Sequence, residues 1–557
     1  MFGWKNIFRA VTILKIQPRE PVIDFKKLIR QNSHWFFLLP FLVFILLRAS
    51  LLRLPPFGDE DQLIRDAVFL GHSAETGYPI LGLFFLRIGL FFLDWNHLRW
   101  VPFAFSVGVF ILTALITEEL LGFEGALWSL WLLSISPLNI SVSTQLLFDG
   151  SFVAFFLLLM VYFYLRFLRN PKENRIFLIL CGVAFGCLWL TSYAAFSLAA
   201  GAALYAILSR KLHAVLDIVT IGILGLLVFS VYPLLLPHHY HLSAQKLAVV
   251  RSIPILKFKS HEWLYFSSWA KALIFVGPLL LWGLFRALLS GDLRRRVGLP
   301  LSICVSYMIL ILTLVNPDRT MGYWSPLIPF FCLATAAAIM EEQKTYSIFS
   351  LSVLITTYYV LMAILTQVGP HAVSSSHPLR WSWMNFFPIR MFYGPSLALY
   401  LRPAAVIFPF LAIFFLALST LRWKKLRAQI IALGLAYGLF CSGEYVHPLF
   451  SPDSNAVGQK LLSSLKQKPP QEPVYLHGYG ALECEMNGIK VQPFMYDESV
   501  IEKLLPLMTR TKGSVILMNS PAIGPETPLR RFLSTHATLK REFSSDSISL
   551  AEVWRLQ

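Results

Sequence analysis

Charge is what this chain has least of. Only 14% of its 557 residues are Asp, Glu, Lys or Arg, where a soluble globular domain carries roughly a quarter. That shortage excludes an ordinary water-soluble fold for most of the length. Acidic residues are scarcer than basic ones, 31 against 48. Cysteine is sparse as well. Of six, Cys181, Cys187, Cys304, Cys332 and Cys441 lie in or beside apolar stretches, and Cys484 stands alone near the C-terminus. Neither a disulfide framework nor a CxxC zinc spacing follows from that pattern. A glycine-rich nucleotide fingerprint is also missing, because Gly478-Tyr479-Gly480 has no third glycine at the needed offset. The first apolar run begins after more than thirty residues and is followed by no small-residue cleavage site. It reads as a membrane span rather than a secretory leader.

What the chain has in abundance is apolar sequence: 56% of residues are hydrophobic. Runs of roughly 20 apolar residues read as transmembrane helices. Such runs recur at about 35–52, 79–93, 98–117, 125–142, 150–168, 176–190, 193–208 and 214–236. They continue at about 267–289, 297–315, 324–340, 347–366, 403–420 and 428–445. The formal charge of +17 does not point to nucleic acid, because most basic residues lie in short segments between these runs, as the positive-inside rule requires. The strongest are the N-terminus (Lys5, Arg9, Lys15, Arg19, Lys26, Lys27, Arg30), Arg166/Arg169/Lys172/Arg175, Arg210/Lys211, Arg294/Arg295/Arg296 and Arg422/Lys424/Lys425/Arg427.

Placing all of these in the cytoplasm requires one run before Arg166 not to cross. The weakest is 79–93, about fifteen residues with Arg87 and two glycines, and it is expected to lie on the outer membrane surface. The expected fold class is therefore a polytopic α-helical membrane protein of about thirteen transmembrane helices, with a small C-terminal α/β domain outside. Three parts follow: a basic cytoplasmic N-terminus (1–34), a transmembrane domain (35–445) whose first outer loop is 58–97, and an extracytoplasmic α/β domain (446–557). In the last, 473–476 and 513–518 read as strands, 498–510 and 528–536 as helices, and 547–555 as a final strand.

Acidic residues near the outer face are few, and two places stand out. One is Gly58-Asp59-Glu60-Asp61, just after Pro55-Pro56; the other is Asp149, at the mouth of a span. A carboxylate at the membrane boundary is costly unless solvated, paired or functional. A solvated helix cap explains either place on spacing alone. His238, His239 and His241 are adjacent in a loop without a fixed geometry, which disfavours a zinc site.

The order of motifs resembles the GT-C glycosyltransferases, in particular the branch with protein O-mannosyltransferases and lipid A aminoarabinose transferases. The resemblance rests on Gly58-Asp59-Glu60 with Asp66-Ala67 following, Tyr78-Pro79, His97-Leu98-Arg99-Trp100, and Leu132-Leu133-Ser134-Ile135-Ser136-Pro137 followed by Asp149. It extends to Arg319-Thr320-Met321-Gly322-Tyr323-Trp324-Ser325-Pro326. Two departures are a single proline in Tyr78-Pro79-Ile80 and an acidic Glu118-Glu119 where a basic loop is usual. The resemblance implies an inverting transferase with a polyprenyl-phosphate sugar donor and a glycolipid, glycan or protein acceptor, and no nucleic acid. It assigns Asp59 as base, Glu60 as its support and Asp149 as a second acid in the cleft. Arg99, Arg319 and Tyr323 fall to the donor phosphate, and His72, Lys246, Lys257, Arg380 and Arg390 to substrate binding. No cofactor is certain; a divalent metal on Asp59 and Asp149 is compatible with carboxylate chemistry. The expected location is a bacterial inner membrane, among membrane lipids, with the catalytic face periplasmic. A transporter of lipid-linked saccharides is the alternative, but it predicts internal repeats, and none is apparent in the sequence.

Overall fold

The computed structural model describes residues 33–49, 51–53, 59–68, 80–94, 97–146, 151–191, 200–201, 204–205, 212–235, 276–314, 324–342, 348–368, 426–443, 463–467, 472–477, 481–494, 498–511, 513–517, 527–545 and 548–557, with a few positions between 411 and 419. The chain is mostly helical, and the helices are apolar. They are α1 (Ser33–Ala49), α2 (Asp59–Val68), α3 (Ile80–Phe92), α4 (Trp100–Ser134), α5 (Pro137–Val142), α6 (Ser151–Arg169), α7 (Arg175–Thr191) and α8 (Leu212–Leu235). After them come α9 (Pro278–Leu289), α10 (Gly291–Arg296), α11 (Gly298–Leu314), α12 (Ile328–Glu342), α13 (Ile348–Val368) and α14 (Arg427–Gly443).

Helix α4 is a hairpin. Gly122 breaks it with φ 79°, ψ −176°, a backbone conformation that glycine reaches without a Cβ penalty. Across the break Ser129 Oγ donates to Thr117 Oγ1 at 3.0 Å. In an unbroken helix those residues would stand about 18 Å apart. The chain therefore turns back on itself, and the two arms correspond to the separate runs expected at 98–117 and 125–142. The second arm stops at Ser136-Pro137, where Ser136 is extended and Pro137 opens α5, as the restriction on a residue before proline requires.

Helix ends meet at two poles. At one, Glu119 beside the hairpin turn pairs with Arg166 at 3.8 Å and Arg169 at 3.4 Å. The Phe37 and Phe123 rings touch there, 4.9 Å between centroids. Glu342, buried at the end of α12, pairs with Arg286 at 3.3 Å and with Arg427. This pole gathers Arg166, Arg169, Arg286 and Arg427, so the acidic Glu118-Glu119 departure has a local account: Glu119 answers the arginines of α6. At the opposite pole Ser442 Oγ donates to the Ile135 carbonyl at 2.7 Å, and the 3-10 turn Ser325–Leu327 lies against α6.

Close approach is made by small residues. A Cβ on Gly186 would stand 2.5 Å from Val228 Cβ, and one on Gly225 would stand 2.4 Å from Phe185, so α7 and α8 pack backbone to side chain, as membrane helices do. Outward faces are apolar: Leu216, Val219, Ile223 and Leu227 of α8 are exposed, which suits contact with hydrocarbon. Helix α3 buries Leu83 and Leu86 and exposes Phe84, Ile88, Phe91 and Phe92. At 13 residues it is about 20 Å long, short of a roughly 30 Å core.

The C-terminal unit holds a five-stranded sheet of order β2-β1-β3-β5-β4. Its strands are β1 (Val474–His477), β2 (Val491–Phe494), β3 (Ser514–Leu517), β4 (Ala537–Ser545) and β5 (Ile548–Leu556). β1 pairs parallel with β2 and β3, while β5 pairs antiparallel with β3 and β4. Helices α15 (Ala481–Met486), α16 (Glu498–Arg510) and α17 (Pro528–His536) complete it. Tyr475, Val515 and Leu517 face Ile501, Met508, Leu529 and Leu533 of α16 and α17. Val474, Leu476 and Ile516 face Ala481 and Cys484 of α15. The two strands not expected from sequence, β2 and β4, are the sheet's edges. β2 carries Pro493, and β4 carries Lys540, Arg541 and Glu542, the features that blunt edge strands and hide them from pattern reading.

Candidate functional site

The site is built where α2, the start of α4 and the residues after α5 converge. Helix α2 reads Asp59-Glu60-Asp61-Gln62-Leu63-Ile64-Arg65-Asp66-Ala67-Val68. Leu63, Ile64 and Ala67 are buried and pack with Leu83, Leu86, Leu98, Leu146 and Phe152. Glu60 heads the same stripe, at i−3, i−4 and i−7, and is itself 5% exposed. A carboxylate carried into an apolar cluster needs a partner, and Arg99 supplies it.

Arg99 is 3% exposed and stands at the N-cap position of α4. Its Nη1 donates to Glu60 Oε1 at 3.1 Å, and its Nη2 donates to Glu60 Oε2. This is the two-pronged geometry that makes guanidinium–carboxylate pairs strong and directional. Glu60 Oε1 also accepts the Leu146 backbone N–H at 2.9 Å. Arg99 Nη1 also donates to the Thr144 carbonyl at 3.2 Å. The carboxylate further offsets the cost of a cation at a helix N-terminus. Glu60 and Arg99 thus tie α2, α4 and residues 144–146 into one unit, and their charges face each other.

Asp59 begins α2 one residue before Glu60; for Asp59 the backbone alone is described. Asp149, Arg319, Tyr323, His72, Lys246, Lys257, Arg380 and Arg390 lie outside the described residues. Of the expected site residues with described side chains, the structure brings Glu60 and Arg99 together. Glu60 was expected to support Asp59; its described contacts include Arg99 and the Leu146 amide. Arg99 was expected at the donor phosphate; its described contacts include Glu60 and the Thr144 carbonyl. Among the described residues no group of three or more His, Cys, Asp or Glu is arranged to hold a metal.

Sequence reasoning missed the segment that receives these bonds. Ser143 Oγ accepts from Arg48 Nε at 3.0 Å, and the Ser143 carbonyl accepts from Ser106 Oγ at 2.6 Å. Backbone acceptors leave no pattern in a sequence. The serine-rich stretch Ser134, Ser136, Ser141, Ser143, Thr144 in an otherwise apolar region is the signal that was available.

In the C-terminal unit α15 lies against α2. His477, at the end of β1, is buried beside Phe494, with Nδ1 unpartnered. Burial, with the nearby Arg530, lowers its pKa from 6.5 to about 4, because both disfavour the imidazolium. Arg530 itself is paired with Glu552 in two-pronged contact.

The assembly is a helical membrane bundle with a small α/β unit set against the helix that carries the acidic pair. A family model described as dolichyl-phosphate-mannose-protein mannosyltransferase matches residues 78–234, a little over a quarter of the chain. No curated protein sequence matches the chain. Among solved structures, ArnT from Cupriavidus metallidurans bound to undecaprenyl phosphate is similar over 94% of this chain and 98% of that one, at 13% identity and a TM-score of 0.53. The apo state of the same protein gives 14% identity over the same shares, with a TM-score of 0.50. The archaeal oligosaccharyltransferase AglB from Archaeoglobus fulgidus, in complex with an inhibitory peptide and a dolichol-phosphate, is 12% identical over 88% of this chain and 70% of that one, with a TM-score of 0.45. Over nearly its whole length the chain has the fold of the Cupriavidus structure, and residues 78–234 match the mannosyltransferase family model.

Proposed function

We propose that the chain is an inverting glycosyltransferase. It moves a sugar from a polyprenyl-phosphate donor to a hydroxyl of an envelope acceptor (lipid A, another glycolipid or a glycan) on the outer face of a bacterial inner membrane. The observation that carries this reading is the buried Glu60–Arg99 pair with its bonds to Leu146 N–H and the Thr144 carbonyl. It builds a rigid floor at the helix pole where α2 begins, one residue from Asp59. The GT-C fold and the bound undecaprenyl phosphate of the Cupriavidus structure support the donor class.

The chemistry balances with few groups. The Asp59 carboxylate takes the proton of the acceptor hydroxyl as its oxygen attacks the anomeric carbon. The bond from that carbon to the phosphate oxygen breaks, and the polyprenyl phosphate leaves with the electron pair. Phosphate is a stable anion, so no general acid is required. Arg319 and Tyr323 are proposed to receive it, with Lys246, Lys257, Arg380, Arg390 and His72 along the donor and acceptor paths. Asp149 is the proposed second carboxylate of the cleft. Glu60 and Arg99 hold the backbone that carries Asp59 and act through it. The C-terminal unit, set against α2 by α15, is proposed to cap the cleft from outside.

The test is Asp59→Asn in the full chain, reconstituted with undecaprenyl-phosphate-linked mannose or aminoarabinose and total envelope lipid. Undecaprenyl phosphate should still bind, and transfer should fall about a hundredfold or more. Retained transfer removes Asp59 as base, and products of retained anomeric configuration refute the inverting mechanism.

A further inference from the structure

We propose, resting on the transferase reading above, that Arg48 is a positioning residue for the reaction: it fixes residues 143–146, on which the Glu60–Arg99 floor hangs.

Arg48 lies in the last turn of α1 and is fully buried. A buried guanidinium has five N–H donors to satisfy. Its Nε donates to Ser143 Oγ at 3.0 Å, and its Nη1 to the Phe44 carbonyl at 2.9 Å and the Ser134 carbonyl at 3.3 Å. Its Nη2 donates to Asn139 Oδ1 at 2.6 Å and the Leu133 carbonyl at 3.4 Å. The Phe44 ring lies 3.6 Å from Cζ, a distance at which its face attracts the cation.

These acceptors have a common origin. In a continuing helix the Leu133 carbonyl would receive the N–H of residue 137, but Pro137 has none. The Leu133 carbonyl keeps a long bond from the Ser136 N–H, 3.4 Å, at the C-terminal end of a helix, where the macrodipole is negative. Arg48 brings both donors and positive charge to that end. Its fork then reaches beyond α5 to Ser143, one residue before the carbonyl that holds Arg99 and three before the amide that holds Glu60. Ser106 Oγ grips the Ser143 carbonyl from the α4 side at 2.6 Å. The path Arg48–Ser143–Thr144–Arg99–Glu60 is unbroken, and the chain leaves it at Leu146 toward Asp149.

Two variants test this. Arg48→Lys keeps the charge but not the fork, so it cannot reach the Leu133, Ser134, Asn139 and Ser143 acceptors together. Ser143→Ala removes the acceptor for Nε and leaves Arg48 in place. In the full chain, hydrogen exchange of Thr144 to Leu146 should quicken about tenfold or more in each variant, while peptides covering Ile328–Glu342 exchange as in the wild type. kcat for transfer from the undecaprenyl-phosphate-linked sugars should fall about tenfold with little change in donor KM. Arg427→Met, which breaks a pair at the other pole, serves as the stability control: it should lower the unfolding midpoint without moving exchange at 144–146. Unchanged exchange at 144–146 in both variants overturns the proposal. So does exchange that rises equally across the bundle, which marks a merely structural arginine. If Arg48→Lys does not fold, Ser143→Ala decides alone. Failure of the transferase reading shows separately, as Asp59→Asn matching the wild type in transfer; the exchange measurement does not depend on it.

Discussion

Neutralising Glu60 while keeping its shape is the sharpest perturbation available. Glu60→Gln preserves an oxygen to accept the Leu146 N–H, so the backbone bond of 2.9 Å has a surviving counterpart. What is lost is the charge. Arg99, 4% exposed at its side chain, is then a buried cation at the head of α4, where the helix dipole also opposes it. Breaking one partner of a buried pair costs about 3–5 kcal/mol, while replacing both partners by apolar groups is often neutral. The expected order of stability is therefore wild type, then Glu60→Gln/Arg99→Met, above Glu60→Gln. Cys181, Cys304 and Cys332 are buried thiols in the helical bundle, so a thiol-reactive fluorophore reports unfolding on heating in detergent. Glu60→Gln should unfold several degrees below the wild type, and adding Arg99→Met should recover much of the loss. Equal midpoints for wild type and Glu60→Gln would show that the pair is solvated. A double variant no better than Glu60→Gln would show that the arginine's charge is not what the carboxylate answers.

Three further outcomes are expected. His477 has a folded pKa of about 4 against 6.5 unfolded. The unfolded chain thus binds the extra proton between those values, and stability present above pH 6.5 is lost as pH falls toward 4, by about 3 kcal/mol at most. The urea concentration at which buried Cys484 becomes reactive should fall between pH 7 and 5 in the wild type. It should fall less in His477→Phe, and parallel curves would refute the linkage. A Cβ at Gly283 would meet Thr335 Oγ1 at 2.1 Å and its Cα at 2.4 Å, so Gly283→Ala should force α9 from α12 and cost about 1–3 kcal/mol; an unchanged midpoint refutes the packing. Asp94→Cys should label with an impermeant maleimide from outside intact cells, and labelling only after lysis would reverse the proposed orientation.

Much of the bundle was legible because membrane helices must satisfy their backbone internally, which leaves long apolar runs as a direct trace. The hairpin at Gly122 shows the limit of length alone. Residues 100–134 form one apolar stretch by composition, and only the charged Glu118, Glu119 and Glu124 around a glycine mark the turn. In the site, Glu60 was legible as part of the acidic motif after the first span; its burial on one face of α2 with Leu63, Ile64 and Ala67 is what the structure adds. Its partner was not, because Arg99 is 39 residues away and no local period links them. Arg48 was visible only as a charge near the end of a span. Its role depends on the carbonyls of Leu133 and Ser134 at the helix end before Pro137, and a sequence records neither a carbonyl's spare capacity nor its direction. The C-terminal sheet was half legible: buried β1 and β3 are short apolar runs, whereas the edges β2 and β4 carry the proline and charges that edges tolerate.

The two poles of the bundle use buried charge differently, and the difference bears on where chemistry belongs. At the pole of Glu119 and Glu342, each acid meets arginines from neighbouring helices. The pairs join helix end to helix end. At the other pole the charges reach across to backbone. Arg48 binds three carbonyls, Arg99 binds one, and Glu60 binds an amide. Such bonds fix the course of the chain between helices, and residues 143–146 are held by them at Ser143, Thr144 and Leu146. A bundle needs only its helices joined to be stable. A reaction that breaks a bond to phosphate at a membrane surface also needs its groups held still in the loops between helices. The described polar contacts concentrate that restraint at residues 143–146, beside the start of α2, which supports the proposal that transfer takes place at this pole.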